Sequence, residues 1–229
     1  MSVTTFVLVH GAWHGGWAWD RVAPVLREAG AGVVAPTLTG LPPRADELSP
    51  EVGLPTHVDD VVAALDGDDI VLVGHSYGAL VARQAADARP EHVRHVVLVD
   101  GWAGPAGTSL MSLAPPIIRD GFRAAADGWL IPAPPAAAFG IVDGADTEWL
   151  EARLGAHPLR TFEEPTELSG AVDAIPGTAI CCQPSLLPFD ELAAAIDYAV
   201  VRLDGPHDVM VSEPRRLAEA LLRTVMAST

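Results

Sequence analysis

Apolar residues along this chain fall into short unbroken runs separated by stretches of a different rhythm. Residues 4–9, 33–35, 70–73, 96–99, 178–181 and 198–201 are such runs. A run that does not alternate predicts a strand covered on both faces, as in a parallel sheet flanked by helices. Between the runs, apolar positions recur every three or four residues. Trp19, Val22, Ala23 and Leu26 share one face, and Gly30 is placed to end that helix. Val58, Val61, Val62 and Leu65 repeat the spacing behind a Thr56 cap. An Ala-rich helical pattern follows Gly78, and Ser212 is placed to cap a last helix carrying Leu217, Leu221 and Val225. Strand alternating with helix predicts an α/β protein with a doubly wound, mostly parallel sheet. Ligands of such sheets bind beyond the carboxyl ends of the strands.

The rhythm fails over residues 101–176, where Pro and Gly are frequent and apolar residues come in small clusters. A structureless loop of that length would be unusual in a compact domain. We expect one domain over 1–229, with a core of 1–100 and 177–229 and a small, mostly helical cap inserted at about 101–176. Most apolar residues of the cap, among them Met111, Phe122 and Phe139, read as packing between cap and sheet; the rest would roof a site.

Composition narrows the function. The 229 residues are 49% hydrophobic, enough for one large core, and the net charge is −16. That balance argues against nucleic acid and against an anionic membrane surface as partners. Cys181 and Cys182 are adjacent in an apolar run and read as buried thiols. The first five residues lack a basic stretch of the secretory kind, so the expected location is the cytoplasm. A homodimer remains open.

The chemistry centres on Gly74-His75-Ser76-Tyr77-Gly78, placed between a strand pattern and a helix pattern. Gly-x-Ser-x-Gly at such a corner is a nucleophile elbow, which projects the central Ser from the strand end. The plainer reading is a strand-to-helix turn with a capping Ser. The first run leads into His10-Gly11-Ala12-Trp13-His14-Gly15-Gly16-Trp17, where a second oxyanion donor is expected. The expected donors are the backbone N–H groups of Ala12 and Tyr77, each worth about 100- to 1,000-fold in rate. Among eight histidines, His207 sits in a turn after the last strand run and can serve as the base. His92 and His95 read as surface residues and His75 as pointing away from Ser76; the plainer reading of His207 is a loop histidine with Asp208 as a surface neighbour. Trp13, Trp102, Trp129 and His14 are candidate substrate contacts, although His14 reads better as a fixture of its loop. His10 and His14 lack an intervening Glu, so a zinc site is not indicated, and no metal or organic cofactor is implied.

These segments, with the late His207-Asp208-Val209-Met210, resemble the α/β-hydrolase superfamily. More closely they resemble its compact branch of plant methyl esterases and hydroxynitrile lyases, over nearly the whole chain. The resemblance implies Ser76 as nucleophile, His207 as general base, and Ala12 and Tyr77 as oxyanion donors. Lyases of the branch carry Thr after the first-strand His and Lys after the catalytic His. Gly11 and Asp208 stand there in this chain, which favours ester hydrolysis.

The family's triad Asp follows a pattern like Cys-Thr-Gln-Asp, and here Cys181-Cys182-Gln183-Pro184 puts Pro184 in its place. Asp100, Asp190 and Asp204 are the substitutes. Asp100 ends the fourth run and keeps the chain order Ser, Asp, His, so it is preferred; a loop-anchoring role is its alternative. The expected function is a serine hydrolase of small apolar or aromatic esters. A lyase, cyclase or decarboxylase on the same fold, acting on an aromatic or polyketide-like substrate, is the alternative, and a ligand-binding protein without activity is the third reading.

Overall fold

The apolar runs become the strands of one sheet in the computed structural model, which describes residues 3–185 and 187–226, the side chains of Val225 and Met226 excepted. In chain order come β1 (Thr5–Val9), α1 (Ala23–Glu28), β2 (Gly32–Val34), α2 (Leu54–Val62), β3 (Ile70–His75), α3 (Gly78–Ala88) and β4 (Val93–Val99). Next are α4 (Leu110–Leu113), α5 (Pro116–Ala125), β5 (Leu130–Ile131), α6 (Gly144–Glu151), β6 (His157–Pro158) and α7 (Arg160–Glu163). The sheet resumes with β7 (Gly177–Gln183), α8 (Phe189–Ala194) and β8 (Ala199–Asp204), and α9 (Val209–Ser212) and α10 (Pro214–Met226) follow. Among the described residues the main sheet is six-stranded in the order β2-β1-β3-β4-β7-β8. Every neighbouring pair in it is parallel.

The order reverses direction at β1, and the register brings the strand ends level. Val9 pairs with Gly74, His75 with Val99, and Val99 with Ile180. The residues after these ends, His10, Ser76 and Asp100, therefore emerge along one edge. Ile70 to Val73 are each 1% exposed or less, and burying one such side chain contributes about 1.5–3 kcal/mol relative to leaving it exposed. The two outermost strands differ from the expectation of burial on both faces. Val34 in β2 and Val201 in β8 are each 41% exposed, because an outer strand has a neighbour on one side only.

Trp19, Val22, Ala23 and Leu26 are buried as their shared face predicts, and Gly30 turns the chain with φ of +88°. Two helix starts differ from expectation. The second helix begins at Leu54, not behind Thr56; the Thr56 hydroxyl sits inside the first turn and accepts from Gly53 N–H at 3.3 Å. Pro55 explains the shift, since a proline suits the first turn, where its missing N–H costs nothing. From 110 residues further along the chain, Glu164 caps the same end, taking Leu54 N–H at 2.6 Å. Ser212 closes α9 instead of capping the last helix, which opens on Pro214. Leu217 and Leu221 are buried as expected, while the Val225 side chain lies outside the described ones. His95 is buried rather than surface, bonded to Thr178 Oγ1 at 2.9 Å, because its strand is central in the sheet.

Residues 100–176 carry short helices and turns, and also an antiparallel pair in which Ile131 faces His157. That pair is not visible in the helical pattern expected for this stretch. Met111 and Phe139 are buried, whereas Ile117 is exposed.

Candidate active site

Ser76 sits where β3 turns into α3, with φ of +51°, a left-handed backbone uncommon for any residue but glycine. Three backbone bonds hold it there. Ser76 N–H donates to Val99 O at 3.1 Å, and its carbonyl accepts from Ala79 at 3.1 Å and Trp102 at 3.2 Å. The two flanking glycines are needed for clearance. A Cβ on Gly74 would lie 2.6 Å from the Ala79 Cα, and one on Gly78 would lie 2.3 Å from the His10 carbonyl oxygen. The left-handed conformation itself is taken by the serine.

Asp100 follows the end of β4 with φ of +43° and is 2% exposed. Its Oδ1 accepts Cys182 N–H at 2.7 Å, and its Oδ2 accepts from His207 Nδ1 at 3.0 Å. A carboxylate on Nδ1 fixes the imidazole tautomer and leaves Nε2 as the nitrogen without a proton. The Phe189 ring stacks on His207 with centroids 5.5 Å apart and planes within 11°. The strand end that carries the acid in the family pattern here supplies a backbone donor, Cys182 N–H, to an acid from the neighbouring strand. Asp190 is turned to Arg202 at 3.1 Å, and Asp204 is exposed. Neither is bonded to His207.

The loop after β1 is held at each peptide. His10 donates from Nδ1 to Gly11 O at 2.8 Å and accepts Leu38 N–H at 3.1 Å on Nε2; burial keeps it neutral, with its pKa lowered to about 3. A Cβ on Gly11 would meet His75 Nδ1 at 2.8 Å and the Ser76 Cβ at 3.1 Å. A threonine there would force the loop away from the nucleophile. His14 donates from Nδ1 to Ala12 O at 2.6 Å, and Trp13 N–H donates to His157 Nδ1 at 3.3 Å. The Ala12–Trp13 peptide is thus gripped on both sides. No hydrogen bond among the described residues takes the N–H of Ala12 or of Tyr77, as an oxyanion hole requires. Tyr77 is locked through its hydroxyl, which donates to His57 Nδ1 at 2.8 Å, while His57 Nε2 donates to Thr39 O at 2.9 Å.

The four substrate-contact candidates separate. His14 is 1% exposed and spends both nitrogens on the protein, so it belongs to the loop. Trp13 is buried among Phe122, Phe139, His157 and Phe162, with centroids 5.8–6.0 Å away, and its Nε1–H donates to Ile131 O at 3.0 Å. Trp102 is 3% exposed and packs edge-on to Phe189, the ring that covers His207. Trp129 is half-exposed before β5 and makes no ring contact with these groups among the described residues.

Two buried side chains stand next to His207. Asp208 is fully buried, against the plainer reading of it as a surface neighbour: its Oδ2 takes His14 Nε2–H at 2.9 Å. His75 is 1% exposed. Its Nε2 donates to the His207 carbonyl at 3.1 Å and lies 3.8 Å from Asp208 Oδ1. The Val209-Met210-Val211 run that follows Asp208 was a sign of burial; nothing local marked Phe189 or His157. His75, His207 and Asp208 hold ligand-type atoms within 4.8 Å of one another. Hydrogen bonds already account for that grouping, since His75 holds the His207 carbonyl, His207 holds Asp100, and Asp208 holds His14.

Residues 6–220 match the Alpha/beta hydrolase family. The chain belongs to that family. A carbendazim hydrolyzing esterase from Nocardioides sp. (strain SG-4G) is 37% identical over 96% of this chain and 98% of its own. Among solved structures, an extracellular alpha/beta-hydrolase from a Paenibacillus species superposes with a TM-score of 0.86 at 21% identity, over 96% of this chain and 98% of its own. Tomato methylketone synthase I superposes with a TM-score of 0.83 at 19% identity, over 100% of this chain and 99% of its own. These two structures share the fold. The family member described here is an enzyme of the esterase kind. No helix among the described residues is long and apolar enough to cross a membrane.

Proposed function

We propose that the chain is a serine esterase that cleaves small apolar or aromatic esters through an acyl-enzyme on Ser76. The observation that carries this reading is the His207 Nδ1 to Asp100 Oδ2 contact of 3.0 Å, which gives the general base a buried carboxylate despite Pro184. Ser76 Oγ attacks the ester carbonyl while His207 Nε2 takes its proton. The oxyanion is received by the Ala12 and Tyr77 N–H groups. His207 then returns the proton to the leaving alcohol, and activates a water that releases the acid. Residues 101–176 act as the cap over this edge of the sheet.

A carboxylate on His207 supports hydrolysis over the lyase or cyclase alternative, which makes weaker demands on the activation of Ser76. The crowding at Gly11 and the carboxylate at position 208 also run against a lyase-like Thr and Lys. The name of the Nocardioides relative makes carbendazim the first substrate to try. The unpaired, buried Cys181 and Cys182 fit a cytoplasmic location, which we include in the proposal.

A fluorophosphonate probe with mass spectrometry tests the reading. Labelling of the wild type on Ser76, absent in Ser76→Ala, supports it. A wild type that takes no label, or takes it elsewhere, rejects it.

A further inference from the structure

Asp208 has no part in the triad, yet it is 0% exposed, and its partner His14 is 1% exposed. A buried ion pair of this kind adds little stability over an apolar pair, since desolvation offsets the attraction. Its geometry points to a different use. His14 Nδ1 holds the Ala12 carbonyl at 2.6 Å, so that nitrogen must carry a proton. Its other nitrogen faces the Asp208 carboxylate at 2.9 Å, and a second proton lies between them. Both rings of contact end on the site. The held carbonyl lies one residue link from the Ala12 N–H, which the preceding peptide presents to the oxyanion, and Asp208 is the residue directly after His207. His75 closes the circuit from the elbow, donating to the His207 carbonyl at 3.1 Å.

We infer that His14 and Asp208 form a positioning pair that ties the oxyanion loop to the segment carrying His207, so that the donor at Ala12 and the base hold one spacing about Ser76. The inference rests on the serine esterase reading above. The pair touches no substrate. Among the described residues Asp208 Oδ1 accepts no hydrogen bond, so the carboxylate is committed to His14 through one oxygen. The packing around His14 is aromatic, with Trp17 stacked at 5.3 Å and Phe139 edge-on at 5.1 Å. Without the carboxylate, His14 can reverse its tautomer and release Ala12.

Asp208→Ala removes the anchor, whereas Asp208→Asn can still donate to a neutral His14 and keep Nδ1–H on Ala12. His14→Gln places its amide near Nε2, keeps Asp208 paired and loses the bond to Ala12, so it separates the two halves without orphaning the buried acid. Saturation kinetics of fluorophosphonate labelling read the result, with Ser76→Ala as the blank. Asp208→Ala and His14→Gln should each lower the maximal labelling rate by about 100-fold, the cost of a displacement of about 1 Å. Half-saturation should stay within about twofold, because probe binding does not use the pair. Asp208→Asn should recover most of the rate. A loss of overall structure would instead change binding and rate together, and Asn would not restore only the rate. Wild-type rates in folded His14→Gln or Asp208→Ala overturn the inference while leaving the esterase reading intact. A wild type that takes no label at Ser76 overturns both.

Discussion

Two histidine–carboxylate pairs lie on either side of His75, and they are built to different ends. The outer pair, His207 with Asp100, leaves the His207 side chain 20% exposed, with Nδ1 bonded and no hydrogen bond to Nε2 among the described residues. The inner pair, His14 with Asp208, is closed off and spends both imidazole nitrogens on the protein. Burial alone would drive His14 toward neutrality. The charge and hydrogen bond of Asp208, with the Ala12 carbonyl, outweigh it and raise its pKa. Asp208 is lowered in return, burial opposing and His14 prevailing. In the proposed mechanism the same two residue types thus give a proton shuttle where one nitrogen is open and a fixed tie where neither is.

The sharpest way to break the comparison is to delete each histidine. His207→Ala should lower turnover by about 10⁶-fold, with little change in melting temperature. His14→Ala should lower stability by about 3–5 kcal/mol, because it leaves Asp208 buried and unpaired. Urea unfolding beside ester turnover measures both. Equal effects of the two deletions would erase the distinction.

A smaller effect separates the tie from the neutral histidines around it. His10 is lowered to about 3 and His57 to about 4, both by burial, and His75 and His157 lie well below their ordinary value for the same reason. On unfolding, each returns to a pKa of about 6.5 and takes up a proton. Their contribution is therefore complete above about pH 6.5 and is lost as pH falls below it, by about 1 kcal/mol per pH unit for each histidine. The His14–Asp208 tie has the opposite sign at this end. Its His14 share is complete below about pH 6.5 and is lost as pH rises through the raised value; its Asp208 share is lost only below about pH 3.8. Urea midpoints should fall steeply from about pH 7 to pH 5, and His57→Gln should flatten that slope by close to one proton. A midpoint that is level over this range would contradict the neutral assignments. The smallest expected effect is at the surface acid. Asp190→Asn should change turnover by less than about twofold, since its exposed pair with Arg202 is worth about 1 kcal/mol or less.

Legibility in the sequence followed the range of the forces involved. Unbroken runs such as 70–73 marked strands because double-sided burial leaves a pattern within four residues. The elbow was legible because Gly74 and Gly78 answer to clashes with immediate neighbours, Ala79 and the His10 carbonyl. Asp100 was legible only as one of three acids. Choosing it needs the strand order, in which β4 lies beside β7 and Asp100 meets Cys182. The partner of Asp208 was not legible, because His14 lies 194 residues earlier and no local pattern carries that distance. The start of α2 was missed for a related reason. Local capping rules pointed to Thr56, while Pro55 and the distant Glu164 set the end at Leu54.

The central claim is that Asp100 serves His207 in place of an acid at Pro184. The most direct test is the labelling rate of Ser76 in Asp100→Asn against Asp190→Asn, with turnover of a small aromatic ester measured on the same samples. Asp100→Asn should lose about 10⁴-fold, the cost of presenting the wrong imidazole tautomer, while Asp190→Asn stays at the wild-type rate. A folded Asp100→Asn that labels and turns over like the wild type would contradict the account and leave His207 working without that carboxylate.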